Sequence, residues 1–214
     1  MFGDCKRVTK TDDLIKSGYL SKFRIKVLLC DHAPQYFESY HDEMEYLVGH
    51  KGRNNLIKNL VNDLKGNTLV LFNYVEKHGE PLYELINNTI DPERKLFFVH
   101  GGTDVEDREE VRLITETEDD AVIIASYGTF STGINIKRLH NIVFASPSKS
   151  RIRNLQSIGR VLRKGEGKDI ATLYDIADNI GGQNYTLKHL NERVNIYNDE
   201  NFKYEVIKVN LRAN

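Results

Sequence analysis

The chain has 214 residues, of which 40% are hydrophobic and 29% are charged, close to the averages of globular proteins. This composition excludes a wholly disordered chain, a collagen-like repeat and a coiled coil, and the length suits one domain with a small appendage. With 30 Lys+Arg against 31 Asp+Glu, the net charge of -1 does not by itself indicate a class of partner.

Short apolar segments predict the strands, and amphipathic segments predict the helices between them. The first strand is predicted over Phe23 to Cys30, and Gly49 and Gly52 divide the helical pattern from Gln35 to Leu64 into two helices. Further strands are predicted at Thr68 to Phe72, Lys95 to Val99, Ala121 to Ala125, Asn141 to Ala145, Ile170 to Tyr174 and Lys203 to Val209. The intervening helices are predicted at Lys77 to Ile90, Asp104 to Thr117, Arg151 to Lys164 and Asn184 to Tyr197.

This alternation predicts an α/β fold of three layers, with a mostly parallel central sheet and helices on both faces. Ligands of such folds gather at the carboxyl ends of the strands, so the residues that follow strands are the candidates for function. Thr103 and Glu106 also match a capping box, which predicts that Thr103 caps the helix after His100-Gly101-Gly102.

Charge is strongly segregated along the chain. Residues 104–120 carry nine acids against Arg108 and Arg112, whereas residues 146–168 carry seven bases against Glu166 alone. The basic segment is suited to phosphates.

Several classes of site are excluded. No Gly-Lys-Ser or Gly-Lys-Thr occurs, so the chain has no phosphate-binding P-loop of its own. The acidic stretch Asp42 to Glu45 lies in a predicted helix, which disfavours a metal box, and the lone Cys5 and Cys30 support neither a disulfide framework nor a metal centre. Without a signal peptide or an apolar span of about 20 residues, we expect a soluble, cytoplasmic protein.

The most specific motif is the stretch from Gln156 to Arg163. On a helix, Gln156, Arg160 and Arg163 lie on one stripe, and paired guanidinium groups suit the stabilisation of charge on a transferring phosphoryl group. The alternative is that both arginines only solvate an amphipathic helix.

Three predicted strands are followed by small or polar residues suited to contacts with phosphates. The first is followed by Asn73 and Tyr74, the second by His100 and Gly101, and the third by the run from Ser126 to Asn135, which is rich in hydroxyl groups and glycine. Ordinary turns and local packing are the alternative for each of them.

In order and in composition, these motifs resemble those of the second RecA-like motor domain of superfamily 2 helicases, and phage recombination helicases in particular. The resemblance covers most of Thr68 to Tyr174. It implies that ATP with Mg²⁺ is bound jointly with a first motor domain, which supplies the P-loop and the acidic magnesium box. The resemblance also implies that the chain is the C-terminal motor lobe of an ATP-dependent DNA helicase or branch-migration translocase in recombination and repair. Such a lobe would be inactive alone, and it would be located in the host cytoplasm if it is phage-encoded.

The resemblance also implies roles for single residues. Arg163 and Arg160 would contact the γ-phosphate, Gln156 would position them, and Gly133 with Asn135 would contact the nucleotide, although Ile134-Asn135 replaces the hydrophobic residue and Asp of many relatives. The expected partner is branched or single-stranded DNA, gripped through its backbone without sequence specificity. The residues expected to contact it are Asn73, Tyr74, His100, Gly101, Arg108, Ser126, Tyr127, Gly128 and Thr129.

Two other interpretations stay open at this stage. One is a standalone, non-catalytic nucleic-acid-binding module that would use Lys149, Arg151 and Arg153, and the other is a lobe of an RNA helicase. By domain, we expect residues 1–30 to form a link and a leading strand, residues 31–180 the motor domain, and residues 181–214 an appendage.

Overall fold

A computed structural model describes residues 11–18, 21–132, 136, 138–146 and 170–211. The predicted helix from Arg151 to Lys164 lies outside these residues. Within them, seven strands form one sheet in the order β3-β4-β2-β5-β6-β1-β7. The strands are β1 (Lys22–Asp31), β2 (Thr68–Phe72), β3 (Leu96–Val99), β4 (Val122–Ser126), β5 (Asn141–Phe144), β6 (Ile170–Asn179) and β7 (Tyr204–Asn210).

Every pairing between neighbouring strands of this sheet is parallel, so their carboxyl ends share one edge. The described helices are α1 (Thr11–Lys16), α2 (Tyr40–Gly49), α3 (Lys51–Asp63), α4 (Glu80–Asn87), α5 (Val105–Thr117), α6 (Tyr127–Thr132) and α7 (Tyr185–Asp199). None of the helices in the described ranges is long and apolar enough to span a bilayer.

The core lies in two layers because successive side chains of a strand face opposite sides. Leu69 and Leu71 of β2 join the apolar cluster that includes residues of α5, α6 and α7. Val70 and Phe72 join the opposite cluster, with residues of α3 and α4. The sheet is thus covered on both faces, which confirms the predicted three-layer α/β class.

Two strands of the sheet lie outside the range predicted for the motor domain. β1 falls almost entirely in residues 1–30, predicted as a link and a leading strand, and β7 falls in the predicted appendage, yet β1 pairs with both β6 and β7. The sheet therefore continues across the predicted boundaries at residues 30 and 180. β6 also extends to Asn179, beyond the predicted end at Tyr174.

The chain after β2 departs from the predicted single helix. A π-helical turn over Val75–Gly79 precedes α4, with the amides of His78 and Gly79 donating to the Tyr74 carbonyl at 3.2 and 2.8 Å. A Cβ on Gly79 would lie 2.5 Å from the Phe72 ring, so the turn packs against β2 only because residue 79 is glycine. π-helical turns of this kind often occur at functional sites.

The predicted capping box is wrong. The N-cap of α5 is Asp104, which makes no side-chain cap bond, while the Thr103 hydroxyl accepts the His100 N–H at 3.0 Å. Thr103 therefore closes the turn after β3 instead of capping the helix.

Candidate nucleic-acid interface

The described residues that were predicted to contact nucleic acid follow three strands that are neighbours in the sheet. Asn73 and Tyr74 follow β2, His100 and Gly101 follow β3, and the run from Ser126 to Thr129 ends β4 and begins α6. Because the order is β3-β4-β2 and all pairings are parallel, the three segments lie side by side at the carboxyl edge. The fold thus brings together residues that are more than 50 positions apart in the sequence.

A hydrogen bond to Ser146 and packing of Tyr74 fix the segment after β2. The amide of Asn73 donates to the Ser146 hydroxyl at 3.2 Å, and the Asn73 side chain is half-buried. Tyr74 is also half-buried and packs against the apolar cluster of Met44, Leu47, Val48 and Ile180. Its carbonyl receives both amides of the π-helical turn, so Tyr74 is fixed where the chain leaves the sheet.

The turn after β3 is closed by its own polar groups. The amide of Gly102 donates to His100 Nδ1 at 3.1 Å, and the Arg108 guanidinium donates to the carbonyls of Thr103 and Gly101 at 2.8 and 3.1 Å. Arg108 therefore stabilises the turn, and its charge lies at the turn rather than within the acidic face of α5. Gly101 is exposed, and a Cβ there would meet no atom of the described chain within 4 Å, so another molecule has room to approach its backbone.

The segment after β4 contains both buried and exposed groups. The Ser126 hydroxyl accepts the Thr129 amide at 3.3 Å and lies 2.8 Å from the Thr129 hydroxyl, which ties down the start of α6. Tyr127 is only 2% exposed, and its hydroxyl donates to the Ser146 carbonyl at 3.1 Å. Side-chain contacts by Tyr127 and Thr129 with nucleic acid would therefore require them to leave the core, so their expected contacts are restricted to the backbone.

Gly128 is the exposed residue of this segment, and a Cβ on it would meet nothing within 4 Å in the described part of the chain. The three segments together present exposed glycines and half-buried polar side chains. Such groups bind phosphates and sugars without reading bases.

Acidic residues border this surface on α5. Arg112 pairs with Glu109 at 2.6 Å and with Glu116 at 2.9 Å, so its charge is already compensated within the helix. A nucleic-acid backbone would be repelled by the exposed acids of α5, which favours a path across β4 and β2.

The residues predicted to contact ATP lie outside the described residues, namely Gly133, Asn135, Gln156, Arg160 and Arg163. The basic residues of the segment after Ser146 also lie outside them. Among the residues that the structure does describe, no group of His, Cys, Asp or Glu could hold a metal ion.

The acidic stretch Asp42 to Glu45 lies on α2, as predicted. Glu43 is fully buried, and its carboxylate accepts the amides of Tyr185 and Thr186, each at 2.7 Å. It therefore caps α7 and is unavailable to a metal.

Sequence reasoning missed two residues next to the interface, Ser146 and His78. Both are fully buried, and Ser146 Oγ lies 3.0 Å from His78 Nδ1. Burial, reinforced by the Arg53 charge, lowers the pKa of His78 to about 3, so its imidazole is neutral at physiological pH. Ser146 could have been found because it follows a strand, but nothing local in the sequence points to His78.

Comparison with known proteins yields a consistent set of similarities. The family model described as "Helicase conserved C-terminal domain" matches residues 52–165. The chain is 34% identical to the ATP-dependent DNA helicase uvsW of Enterobacteria phage T4 over 232 aligned positions, which cover 99% of this chain and 45% of that protein. It thus spans less than half the length of this relative.

Solved structures show the same similarity. The crystal structure of T4 UvsW matches with a TM-score of 0.75 at 34% identity, covering 90% of this chain and 42% of that one. A DEAD box protein of Methanococcus jannaschii matches with a TM-score of 0.56 at 15% identity, covering 91% and 43%. The C-terminal domain of the DEAD-box protein Dbp5 matches with a TM-score of 0.60 at 13% identity, covering 86% and 90%. At these lower identities, only the RecA-like fold of a helicase lobe is shared.

Proposed function

This chain belongs to the helicase conserved C-terminal domain family, and on that premise we propose that it is the C-terminal motor lobe of an ATP-dependent DNA helicase or branch-migration translocase in recombination and repair. The observation that carries the proposal is the alignment of three polar segments on neighbouring strands at the carboxyl edge of the sheet. The similarity of the chain to the ATP-dependent DNA helicase uvsW of phage T4 favours DNA as the substrate.

The lobe would grip single-stranded or branched DNA by its backbone. The exposed glycines Gly101 and Gly128, with the polar side chains of Asn73, Tyr74, His100 and Ser126 beside them, form a surface that suits phosphates and sugars. Arg108 would act indirectly, by holding the turn at Gly101.

The ATP side of the proposal rests on the sequence. Arg163 and Arg160 would contact the γ-phosphate, Gln156 would position them, and Gly133 and Asn135 would contact the nucleotide. ATP with Mg²⁺, held jointly with the first motor domain, would supply the free energy of phosphoryl transfer for movement along DNA. Since this chain contains no P-loop, it should not hydrolyse ATP alone.

Binding of labelled single-stranded DNA by the 214-residue chain tests the nucleic-acid part. We expect equal affinity for unrelated sequences of equal length, and affinity that falls with salt by a log–log slope of about -0.7 per neutralised phosphate. Binding to RNA oligonucleotides of the same sequences distinguishes a DNA helicase lobe from an RNA helicase lobe. Absence of binding, strong sequence preference or binding to RNA alone would each contradict the proposal.

A charge introduced at the interface locates the binding surface. Gly128→Glu places a carboxylate where a Cβ meets open space, and we expect it to weaken DNA binding by about tenfold through repulsion of phosphates. Asn87→Glu is the matched control, because Asn87 is exposed at the end of α4 that leads toward the amino edge of the sheet. Equal affinities for the two variants would show that DNA does not pass Gly128.

A further inference from the structure

A buried polar cluster lies directly beneath the candidate interface, where β2, β4 and β5 end. Its centre is Ser146, which is fully buried. The Ser146 hydroxyl accepts the Asn73 amide at 3.2 Å, its carbonyl accepts the Tyr127 hydroxyl at 3.1 Å, and its amide donates to the Leu71 carbonyl at 3.3 Å. Ser146, in the segment after β5, is therefore hydrogen-bonded to the segments that follow both β2 and β4.

His78 completes the cluster from the π-helical turn. Its Nδ1 lies 3.0 Å from Ser146 Oγ, and its Nε2 is buried without a hydrogen-bond partner in the described part of the chain. In the hydrogen bond between a neutral imidazole and a hydroxyl, either group can be the donor. The Ser146 hydroxyl can therefore accept from the Asn73 amide and donate to His78 Nδ1 at the same time.

Packing alone does not account for this pair. A buried hydroxyl and a buried imidazole with an unpaired nitrogen are less favourable than apolar side chains of the same volume. Ser146 bonds to Asn73 through its hydroxyl and to Tyr127 through its backbone carbonyl, the two points where predicted DNA-binding segments leave the sheet. His78 bonds to the Ser146 hydroxyl, so it fixes the group that holds Asn73.

We infer that Ser146 and His78 are positioning residues that link the DNA-binding segments after β2 and β4 to the chain that leads from β5 toward Arg160 and Arg163. This inference rests on the proposed function and deepens it. Any shift of Asn73 or Tyr127 on DNA binding reaches Ser146 through a direct hydrogen bond. The link thereby connects the DNA grip to the part of the sequence that carries the predicted phosphate contacts.

Steady-state ATP turnover, with and without single-stranded DNA, tests the inference in the two-lobe protein that joins this chain to its first motor domain. The variants are Ser146→Ala and His78→Leu, which break the pair, and His78→Asn, whose amide can replace Nδ1. Ser21→Ala is the matched control, because Ser21 is also buried, precedes β1 at the opposite edge of the sheet, and has a hydroxyl without a partner among the described residues.

We expect Ser146→Ala and His78→Leu to lower DNA-stimulated turnover by about 5–10-fold, while turnover without DNA changes by less than about twofold. His78→Asn and Ser21→Ala should keep the stimulation of the unmodified protein. A thermal unfolding midpoint for each variant separates loss of coupling from loss of fold.

The possible failures are distinguishable. If DNA does not stimulate the unmodified protein, the proposed function fails, and the inference with it. If DNA stimulates Ser146→Ala and His78→Leu as strongly as Ser21→Ala, the inference is overturned and the proposed function stands. A parallel fall of both rates together with the unfolding midpoint would overturn the inference too, because the pair would then be only structural.

Discussion

Replacing Glu43 with glutamine tests how the fold holds α7 against α2. The Glu43 carboxylate is fully buried and accepts four hydrogen bonds. Three reach one oxygen, from Asn184 Nδ2 at 3.0 Å, the Thr186 amide at 2.7 Å and the Thr186 hydroxyl at 2.6 Å. The fourth reaches the other oxygen, from the Tyr185 amide at 2.7 Å.

Glutamine keeps the shape of the side chain but carries an oxygen at only one of the two positions. If its oxygen takes the position with three donors, its NH₂ group faces the half-buried Tyr185 amide, and that donor loses its acceptor. Loss of one hydrogen bond to a charged acceptor, together with the favourable charge at the amino end of α7, should lower the unfolding free energy by about 3 kcal/mol. For a chain of this size, the midpoint should fall by about 6–12 °C.

The assay is thermal and urea unfolding of the chain followed by circular dichroism. Glu45→Gln is the control, since Glu45 lies two positions away on the same helix and is exposed, with ion pairs to Lys77 and His41. Its midpoint should stay close to that of the unmodified chain. Equal midpoints for the two variants would refute the argument that Glu43 caps α7.

Two further predictions concern buried polar residues. Because burial lowers the pKa of His78 from 6.5 to about 3, protonation favours the unfolded chain, and stability that is complete above pH 6.5 is lost as pH falls. His78 should account for a loss of about 2 kcal/mol in unfolding free energy between pH 7 and pH 5. In His78→Asn, the unfolding free energy measured with urea should therefore change less with pH over this range. An unchanged dependence on pH would contradict the lowered pKa of His78. Asn67 is fully buried and bonds the carbonyls of Thr115 and Glu118 and the amide of Ala121 at 2.8–2.9 Å. Asn67→Ala should therefore cost about 3 kcal/mol in urea unfolding, and a loss below about 1 kcal/mol would show that these bonds are replaced.

Much of the fold could be predicted because buried parallel strands are read from local runs of apolar residues. β2 and β5 show this well, since each is buried along its whole length and its predicted start is correct. The order of the strands in the sheet could not be predicted in this way, because parallel neighbours are joined through long crossover connections. The pairing of β1 with β7 depends on contacts between residues nearly 180 positions apart, and no local pattern contains them.

The site divides in the same way. The place of Asn73 and His100 at the carboxyl edge of the sheet could be predicted because each directly follows a strand, and Gly128 lies two residues after the end of β4. The burial of Tyr127 could not be predicted, since its position after β4 gives no sign that its ring packs against Phe144. The link from His78 to Ser146 spans 68 positions and depends on a π-helical turn that helical periodicity does not reveal.

The central claim is that this lobe supplies guanidinium groups to a triphosphate held by a first motor domain. Steady-state ATP turnover of Arg163→Ala in the two-lobe protein tests it most directly. The account predicts a fall of about 10³-fold or more, as for other arginine fingers, with DNA binding unchanged. Turnover close to that of the unmodified protein would contradict it.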